Sequence, residues 1–119
     1  MTYRTRIEIV ELVTKHLLAQ GKRSTEAGAS KCLYRGPNGL QCAIGCLIPD
    51  ELYKDWFDEQ GYVDMTIGAA AGISSDDLDL ARRLQTIHDE VDVEQWPAKL
   101  EEVRQLIVSG GAGSRFDRN

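Results

Sequence analysis

Three cysteines are the residues of this sequence best suited to chemistry, and all of them lie within one short stretch. Cys32 and Cys42 are ten positions apart, and Cys46 follows four positions later. Three thiolates with a histidine, His16 or His88, would complete the tetrahedral ligand set that zinc prefers. The spacing lacks the close Cys-x2-Cys pair of common zinc motifs, and free cysteine is among the most often buried residue types. Inert core thiols are therefore the leading interpretation, and a zinc site at Cys32, Cys42 and Cys46 is the alternative.

A cysteine nucleophile is a second chemistry that this sequence could supply. It needs a histidine base within hydrogen-bond reach and a third group that orients the base. Cys46, His88 and the neighbouring Asp89 are the residues that could take these roles. Cys46, however, lies in an apolar run, where burial raises the pKa of a thiol and suppresses thiolate formation. The sequence therefore predicts no catalytic residue, and we expect a protein that is not an enzyme.

Acidic residues outnumber basic ones, with 19 Asp and Glu against 14 Lys and Arg and a formal net charge of −5. This charge disfavours binding to a nucleic-acid backbone, which requires clustered Lys and Arg, and it favours a protein partner with a basic or mixed surface. The many acidic residues between positions 50 and 94 are typical of solvated helix faces. Their alternative role is to imitate nucleic-acid phosphates, although Arg82 and Arg83 interrupt such a face.

The composition is that of one globular domain. The chain has 119 residues, of which 42% are hydrophobic and 28% charged, and these suffice for a single core. No apolar run approaches the roughly 20 residues that span a bilayer, and charges interrupt the N-terminal stretch where a signal peptide would be apolar. We therefore expect a cytoplasmic protein with reduced thiols, no membrane partner and no cofactor other than the possible zinc.

The element that must position the cysteines is a β-hairpin predicted around residues 32–44. The Pro-Asn-Gly sequence at 37–39 matches a three-residue hairpin loop in which glycine takes the left-handed position. Arg35 and Asn38 are expected to be exposed and are candidate partner-binding residues. The face expected to pack on the helices carries Cys32, Tyr34, Cys42 and Ile44.

The remaining elements are predicted helices, so the expected fold class is α+β: a mainly helical single domain with one small hairpin. Apolar residues at three- and four-residue spacing and the positions of Pro, Gly and Ser set the helix limits. The predicted helices cover residues 3–20, 50–60, 75–91 and 97–109. Residues 1–109 are expected to form the domain, 21–30 a mobile loop and 110–119 a disordered tail.

Two further patterns have both a structural and a functional interpretation. The sequence Gly-Ala-Ala-Ala-Gly at 68–72 resembles a phosphate-binding loop but lacks its Gly-Lys-Ser/Thr ending, so helix packing is the better interpretation. Trp56, Phe57 and Trp96 could anchor a partner, because aromatic residues are enriched at interface hot spots. Core packing is favoured for at least one tryptophan, since the chain has few other large groups to fill its centre.

The stretch from Cys32 to Asp50 resembles a signature of small uncharacterised proteins of phages and bacteria. The signature is Cys-x-Tyr-Arg followed by Gly-Leu-x-Cys-Ala-Ile-Gly-Cys-Leu-Ile-Pro-Asp, which begins here at Cys32 and continues from Gly39. The resemblance implies no activity. It implies an accessory cytoplasmic protein, encoded by a phage and acting on a host component.

Taken together, these patterns predict a non-catalytic protein-interaction domain that modulates a partner protein. The first alternative is a zinc-binding module that uses the three cysteines, in which the metal would contribute to folding. A cysteine-dependent enzyme and an acidic mimic of nucleic acid are the remaining alternatives. The sequence does not identify the partner.

Overall fold

The computed structural model describes residues 3–25, 33–36, 39–59 and 63–110 of the chain. Within these ranges four α-helices and several short 3-10 helices make up most of the molecule. The α-helices are α1 (Arg6–Gln20), α2 (Met65–Ala70), α3 (Leu78–Glu90) and α4 (Trp96–Gly110). None of the described helices combines the length and the apolar composition that crossing a membrane requires.

The first predicted helix is confirmed as α1, and its ends follow local rules. Thr5 and Glu8 form a capping box, in which each side chain accepts a hydrogen bond from the other residue's backbone N–H. Gly21 ends the helix in the left-handed conformation, with φ of 69°. The residues of α1 that enter the core are Ile9, Val10, Val13 and Leu17.

Helices α3 and α4 pack against α1 and close the core on its other sides. The predicted start of the third helix is a 3-10 turn, Ser75–Asp77, with the Ser74 hydroxyl accepting from the N–H of Asp76. The indole Nε1 of Trp96, which is fully buried, donates to the carbonyls of Ile87 and Val91, each at 3.1 Å. These two bonds join the start of α4 to the end of α3.

The β-hairpin predicted around residues 32–44 is wrong, and so is the α+β class that depended on it. In the part of the chain that the structure describes there is no strand, and Arg35 and Gln41 form only an isolated antiparallel bridge. After Cys42 the chain coils into a turn and the 3-10 helix Gly45–Leu47. The described residues are 69% helical, which makes the fold an all-helical one.

The hairpin fails because the backbone groups that would extend its ladder are bonded elsewhere: the N–H of Tyr34 to Asp58, the carbonyl of Cys42 to the N–H of Cys46, and the N–H of Ile44 to Gln85. The outward-facing backbone groups of Gln41 are in turn held by α1. Gln20 of α1 accepts a hydrogen bond from the N–H of Gln41 at 2.9 Å and donates to its carbonyl at 3.0 Å. Gln85 of α3 accepts from the N–H of Ile44 at 3.3 Å. Since an isolated two-stranded ribbon is marginal in water, these bonds to the helices determine the path of the chain.

Two other expectations are changed by the structure. The helix predicted over residues 50–60 is a pair of 3-10 helices, Asp50–Leu52 and Asp55–Glu59, because Tyr53 takes an extended conformation between them. Gly110 is the last residue of α4 and does not begin the predicted tail. Residues 111–119 of the tail predicted at 110–119 lie outside the described residues, and so do residues 26–30 of the loop predicted at 21–30, Cys32 and Asn38.

Candidate functional site

The candidate site is the signature segment, defined here as the described residues between 33 and 59. The carboxylate of Asp58 connects the first part of this segment with its last part. The Oδ1 atom of Asp58 accepts a hydrogen bond from the backbone N–H of Tyr34 at 2.6 Å, and its Oδ2 atom accepts a short bond from the hydroxyl of Tyr53. Burial and this bond to Asp58 raise the pKa of Tyr53 above its usual range. The tyrosine therefore stays protonated and serves as a donor to the carboxylate.

Arg35 has three partners within the signature segment. Its guanidinium pairs with Asp50 at 2.7 Å, donates to the carbonyl of Ile48 at 2.6 Å and lies 4.9 Å from the ring centre of Tyr53. The expectation that Arg35 is exposed is therefore wrong, because only 23% of its side chain is accessible. Its role in partner binding stays a prediction, as does that of Asn38 outside the described residues.

Two glycines of the signature segment, Gly36 and Gly45, are needed for close packing. A Cβ atom at Gly45 would overlap the carbonyl oxygen of Tyr34, and one at Gly36 would lie 2.6 Å from the hydroxyl of Ser24. Gly39 has φ of 80°, which favours glycine, but it has open space around it. The conformation of the segment accounts for these glycines without any bound ligand.

The two described cysteines use their sulfur atoms within the core. Cys42 is fully buried, and its Sγ accepts a hydrogen bond from the N–H of Gly45 at 3.2 Å. Cys46 is half-buried and donates to the carbonyl of Ala43 at 3.2 Å. Burial raises the pKa of the Cys46 thiol to about 12 and that of Cys42 beyond its usual range. These thiols are protonated at neutral pH and are poor nucleophiles.

The histidines considered as zinc ligands or bases bond to groups other than the cysteines, through one ring nitrogen in His16 and through both in His88. Nε2 of His16 donates to the carbonyl of Gln41 at 2.9 Å. In the fully buried His88, Nδ1 donates to Asp89 at 2.7 Å and Nε2 accepts from the N–H of Ser24 at 3.0 Å. His88 therefore bonds to Asp89 as expected of a base, but its other nitrogen is held by backbone and does not meet the thiol of Cys46.

Within the described residues, no group of three histidine, cysteine or acidic side chains has the arrangement of a metal site. Cys42 and Cys46 lie four residues apart in one turn, with the N–H of Cys46 donating to the carbonyl of Cys42. Cys32, the third proposed ligand, is outside the described residues. Zinc binding stays a prediction, and the hydrogen bonds of the two described thiols do not favour it.

Exposed apolar and acidic side chains follow one another along residues 50–56 of the signature segment. Leu52 and Trp56 are 42% and 46% exposed. The ring of Trp56 meets the buried Phe57 edge-on, with the ring centres 4.8 Å apart. We call this the acidic aromatic surface; it consists of Asp50, Glu51, Leu52, Asp55 and Trp56, all of them exposed.

The three aromatic residues weighed as partner anchors thus separate into two groups. Trp96 and Phe57 are buried, with 0% and 1% of their surface exposed, whereas Trp56 is accessible. Three residues are central to the site but carry no sequence signal that marks them: Asp58 within the signature segment, and Gln20 and Gln85 on the helices. A single Asp or Gln is ordinary on a helix surface, and only the tertiary structure shows which backbone group it meets.

Comparisons of this chain with protein-family models, with curated proteins and with solved structures found no match. The function is therefore argued from the geometry of the site.

Proposed function

We propose that this chain is a non-catalytic interaction domain that binds a partner protein through the acidic aromatic surface. The exposure of Leu52 and Trp56 next to three carboxylates carries the proposal. Tryptophan is among the residues most enriched at interface hot spots, where a large rigid side chain is desolvated in a partner's pocket. Leu52 would extend the apolar contact beside it.

The charge around these side chains favours a basic partner. Asp50, Glu51 and Asp55 are exposed, and Lys54 is the single exposed cation among residues 50–56. Carboxylates at the rim of an apolar contact attract a partner with clustered Lys or Arg and orient it during the encounter. The net charge of −5 adds to this attraction.

The base of the surface is fixed by internal contacts, which reduces the entropy lost on binding. The Phe57 ring is buried beneath the surface, with the rings of Tyr53 and Trp56 packed edge-on against it at 5.8 and 4.8 Å. Arg35 holds Asp50 from one side through the 2.7 Å ion pair. A partner would therefore meet a surface whose backbone is already in place.

The internal use of the thiols and histidines supports a role without catalysis. Cys46 keeps its proton because its pKa is near 12, and the imidazole of His88 is bonded on both nitrogens. In line with the resemblance to small phage and bacterial proteins, we place the domain in the cytoplasm, as a phage-encoded modulator of a host protein. Neither nucleic acid nor a membrane is part of the proposal.

A capture experiment with matched variants tests the surface. The immobilised full chain is incubated with a bacterial lysate in parallel with Trp56→Ser and Leu52→Ser, and with Leu18→Ser as the control. Leu18 lies on α1, and its 45% exposure matches that of the other two. We expect one partner to be retained by the wild type and Leu18→Ser, to be lost from both surface variants, and to be released by added salt.

Circular dichroism of each variant ensures that a lost partner does not reflect unfolding. Equal recovery on all folded variants, or recovery that salt leaves unchanged, would contradict the proposal.

A further inference from the structure

A cleft of about 390 Å³ lies between α1 and the turn that carries Cys46. We call it the α1 cleft. Its polar lining includes Arg4, at the start of the described chain, and Lys15 and His16 on α1. Leu12 and Leu47 give it apolar walls. The volume is in the range of clefts that hold small organic molecules.

Arg4 is held in a fixed position at one end of the cleft. Its backbone N–H donates to the carbonyl of Gly72 at 2.8 Å, and its Nε donates to the carbonyl of Ala71 at 3.2 Å. The two terminal nitrogens of the guanidinium make no hydrogen bond to any described residue. Two adjacent N–H groups of an arginine match the two oxygens of a carboxylate or a phosphate.

Lys15 adds a second positive charge that is not neutralised from within the chain. Across the described ranges, neither Arg4 nor Lys15 forms an ion pair, and the described lining of the cleft includes no acidic side chain. Glu8 is the carboxylate that feels the charge of Arg4, but it is bound into the capping box with Thr5. In a protein with an excess of acidic residues, two cations facing one cleft form a local positive site.

Two other polar groups of the cleft, His16 and Cys46, are already hydrogen-bonded within the chain. His16 has its Nε2 committed to the carbonyl of Gln41. Burial raises the pKa of the Cys46 thiol to about 12 even though the charge of Arg4 acts in the opposite direction. The thiol is therefore not a reactive group, and any ligand would be held without a covalent bond.

We propose that the α1 cleft binds a small anion, with Arg4 and Lys15 holding a carboxylate or phosphate group and Leu12 and Leu47 contacting a short apolar remainder. This site is separate from the acidic aromatic surface, which would repel such a ligand. The proposal does not depend on the interaction function and gives the chain a second, small-molecule ligand.

Amide chemical shifts of the full chain, titrated separately with inorganic phosphate and with butyrate at constant ionic strength, test the proposal. We expect saturable shifts at Lys15, Cys46 and Leu47. Loss of one charge contact in Lys15→Gln should weaken binding about fivefold. Lys22→Gln is the control, because Lys22 is also exposed but does not line the cleft; it should leave the affinity unchanged.

Saturation with butyrate but not phosphate would identify a carboxylate with an apolar chain, and the reverse would identify a phosphate monoester; either result supports the site. The absence of saturable shifts with both probes would overturn the proposal. So would equal weakening in Lys15→Gln and Lys22→Gln, because the effect would then come from net charge alone. Lys15 is exposed on α1, so its replacement leaves the core intact.

Discussion

The three packed helices α1, α3 and α4 and the signature segment hold their backbones in place in different ways. In the helices, the backbone groups bond to each other locally, and an apolar stripe fixes each helix to the core. In the signature segment, three backbone N–H groups bond to side chains that are distant along the chain, one of them within the segment itself. These groups belong to Tyr34, Gln41 and Ile44, and their acceptors are Asp58, Gln20 and Gln85.

This difference predicts where the molecule is sensitive to substitution. A helix keeps most of its hydrogen bonds when one exposed side chain is changed. In the signature segment a single side chain is the partner of a backbone group, so its loss leaves that group unpaired. Substituting a side chain that bonds such a backbone group should therefore cost more stability than substituting an equally exposed side chain that bonds none.

The largest effect is expected from Gly45→Ala. The added methyl group would overlap the carbonyl oxygen of Tyr34, so the two parts of the signature segment would have to separate. We expect the free energy of unfolding, measured by chemical denaturation, to fall by at least about 3 kcal/mol. Gly39→Ala is the matched control, because Gly39 has a left-handed backbone but nothing within 4 Å of the added atom. It should cost only about 1 kcal/mol.

If Gly45→Ala and Gly39→Ala lowered the unfolding free energy by similar amounts, close packing inside the signature segment would be unimportant. The contrast between the segment and the helices would then fail.

The second prediction concerns the carboxylate at the centre of the segment. Asp58→Ala removes the acceptor of both the Tyr34 N–H and the Tyr53 hydroxyl. We expect a loss of about 2 to 3 kcal/mol in unfolding free energy, since two polar groups lose their partner. Asp55→Ala, an exposed neighbour, should change stability by no more than about 0.5 kcal/mol. If the two variants were equally stable, Asp58 would not organise the segment.

The third prediction concerns how the free energy of unfolding changes at alkaline pH, where the unfolded chain loses the Cys46 proton. The pKa of Cys46 is raised from 9.0 to about 12 in the folded chain, so the unfolded chain loses this proton first. Stability from this group is therefore complete below pH 9 and is lost as the pH rises towards 12. Between neutral pH and about pH 10, Cys46→Ala should lose about 1 kcal/mol less stability than the wild type.

Denaturation curves of the two proteins across this pH range give the result. If the wild type and Cys46→Ala lost the same unfolding free energy over this pH range, the fold would not desolvate the Cys46 thiol.

The smallest effect on stability is expected at the acidic aromatic surface. Leu52→Ser and the helix control Leu18→Ser should each change the unfolding free energy by no more than about 0.5 kcal/mol, since both side chains are exposed. Thermal melting of both variants provides the measurement. A larger loss in Leu52→Ser would assign this side chain to folding and weaken its proposed role in partner binding.

The sequence predicts α1, α3 and α4 well, but it misses α2 and predicts the signature segment poorly. The comparison explains the failure in the signature segment. The first helix and the stripe of α3 follow from local spacing, and Gly21 ends α1 as expected. The path of the signature segment depends on contacts such as that of Ile44 with Gln85, 41 residues along the chain. No local pattern indicates that partner. The sequence predicts a hairpin because the Pro-Asn-Gly turn signal is local, whereas the hydrogen bonds that compete with the hairpin join distant parts of the chain.

The candidate site follows the same rule. The sequence marks Trp56, Phe57 and Trp96 alike as aromatic residues, and only the tertiary packing exposes Trp56 and buries the other two. The α1 cleft has no sequence signal either, because Arg4 and Lys15 are eleven positions apart in a stretch that also carries Glu8 and Glu11. Their shared cleft arises where α1 meets the turn of Cys46.

The central claim is that side chains fix the backbone of the signature segment as firmly as the helices fix their own backbone. Native-state amide hydrogen exchange tests this claim most directly. The amides of Tyr34, Gln41 and Ile44 are compared with that of Val13 in the centre of α1. We predict that their protection factors lie within about tenfold of that of Val13. Exchange as fast as in an unprotected loop would contradict the account, since the segment would then be held only at its ends.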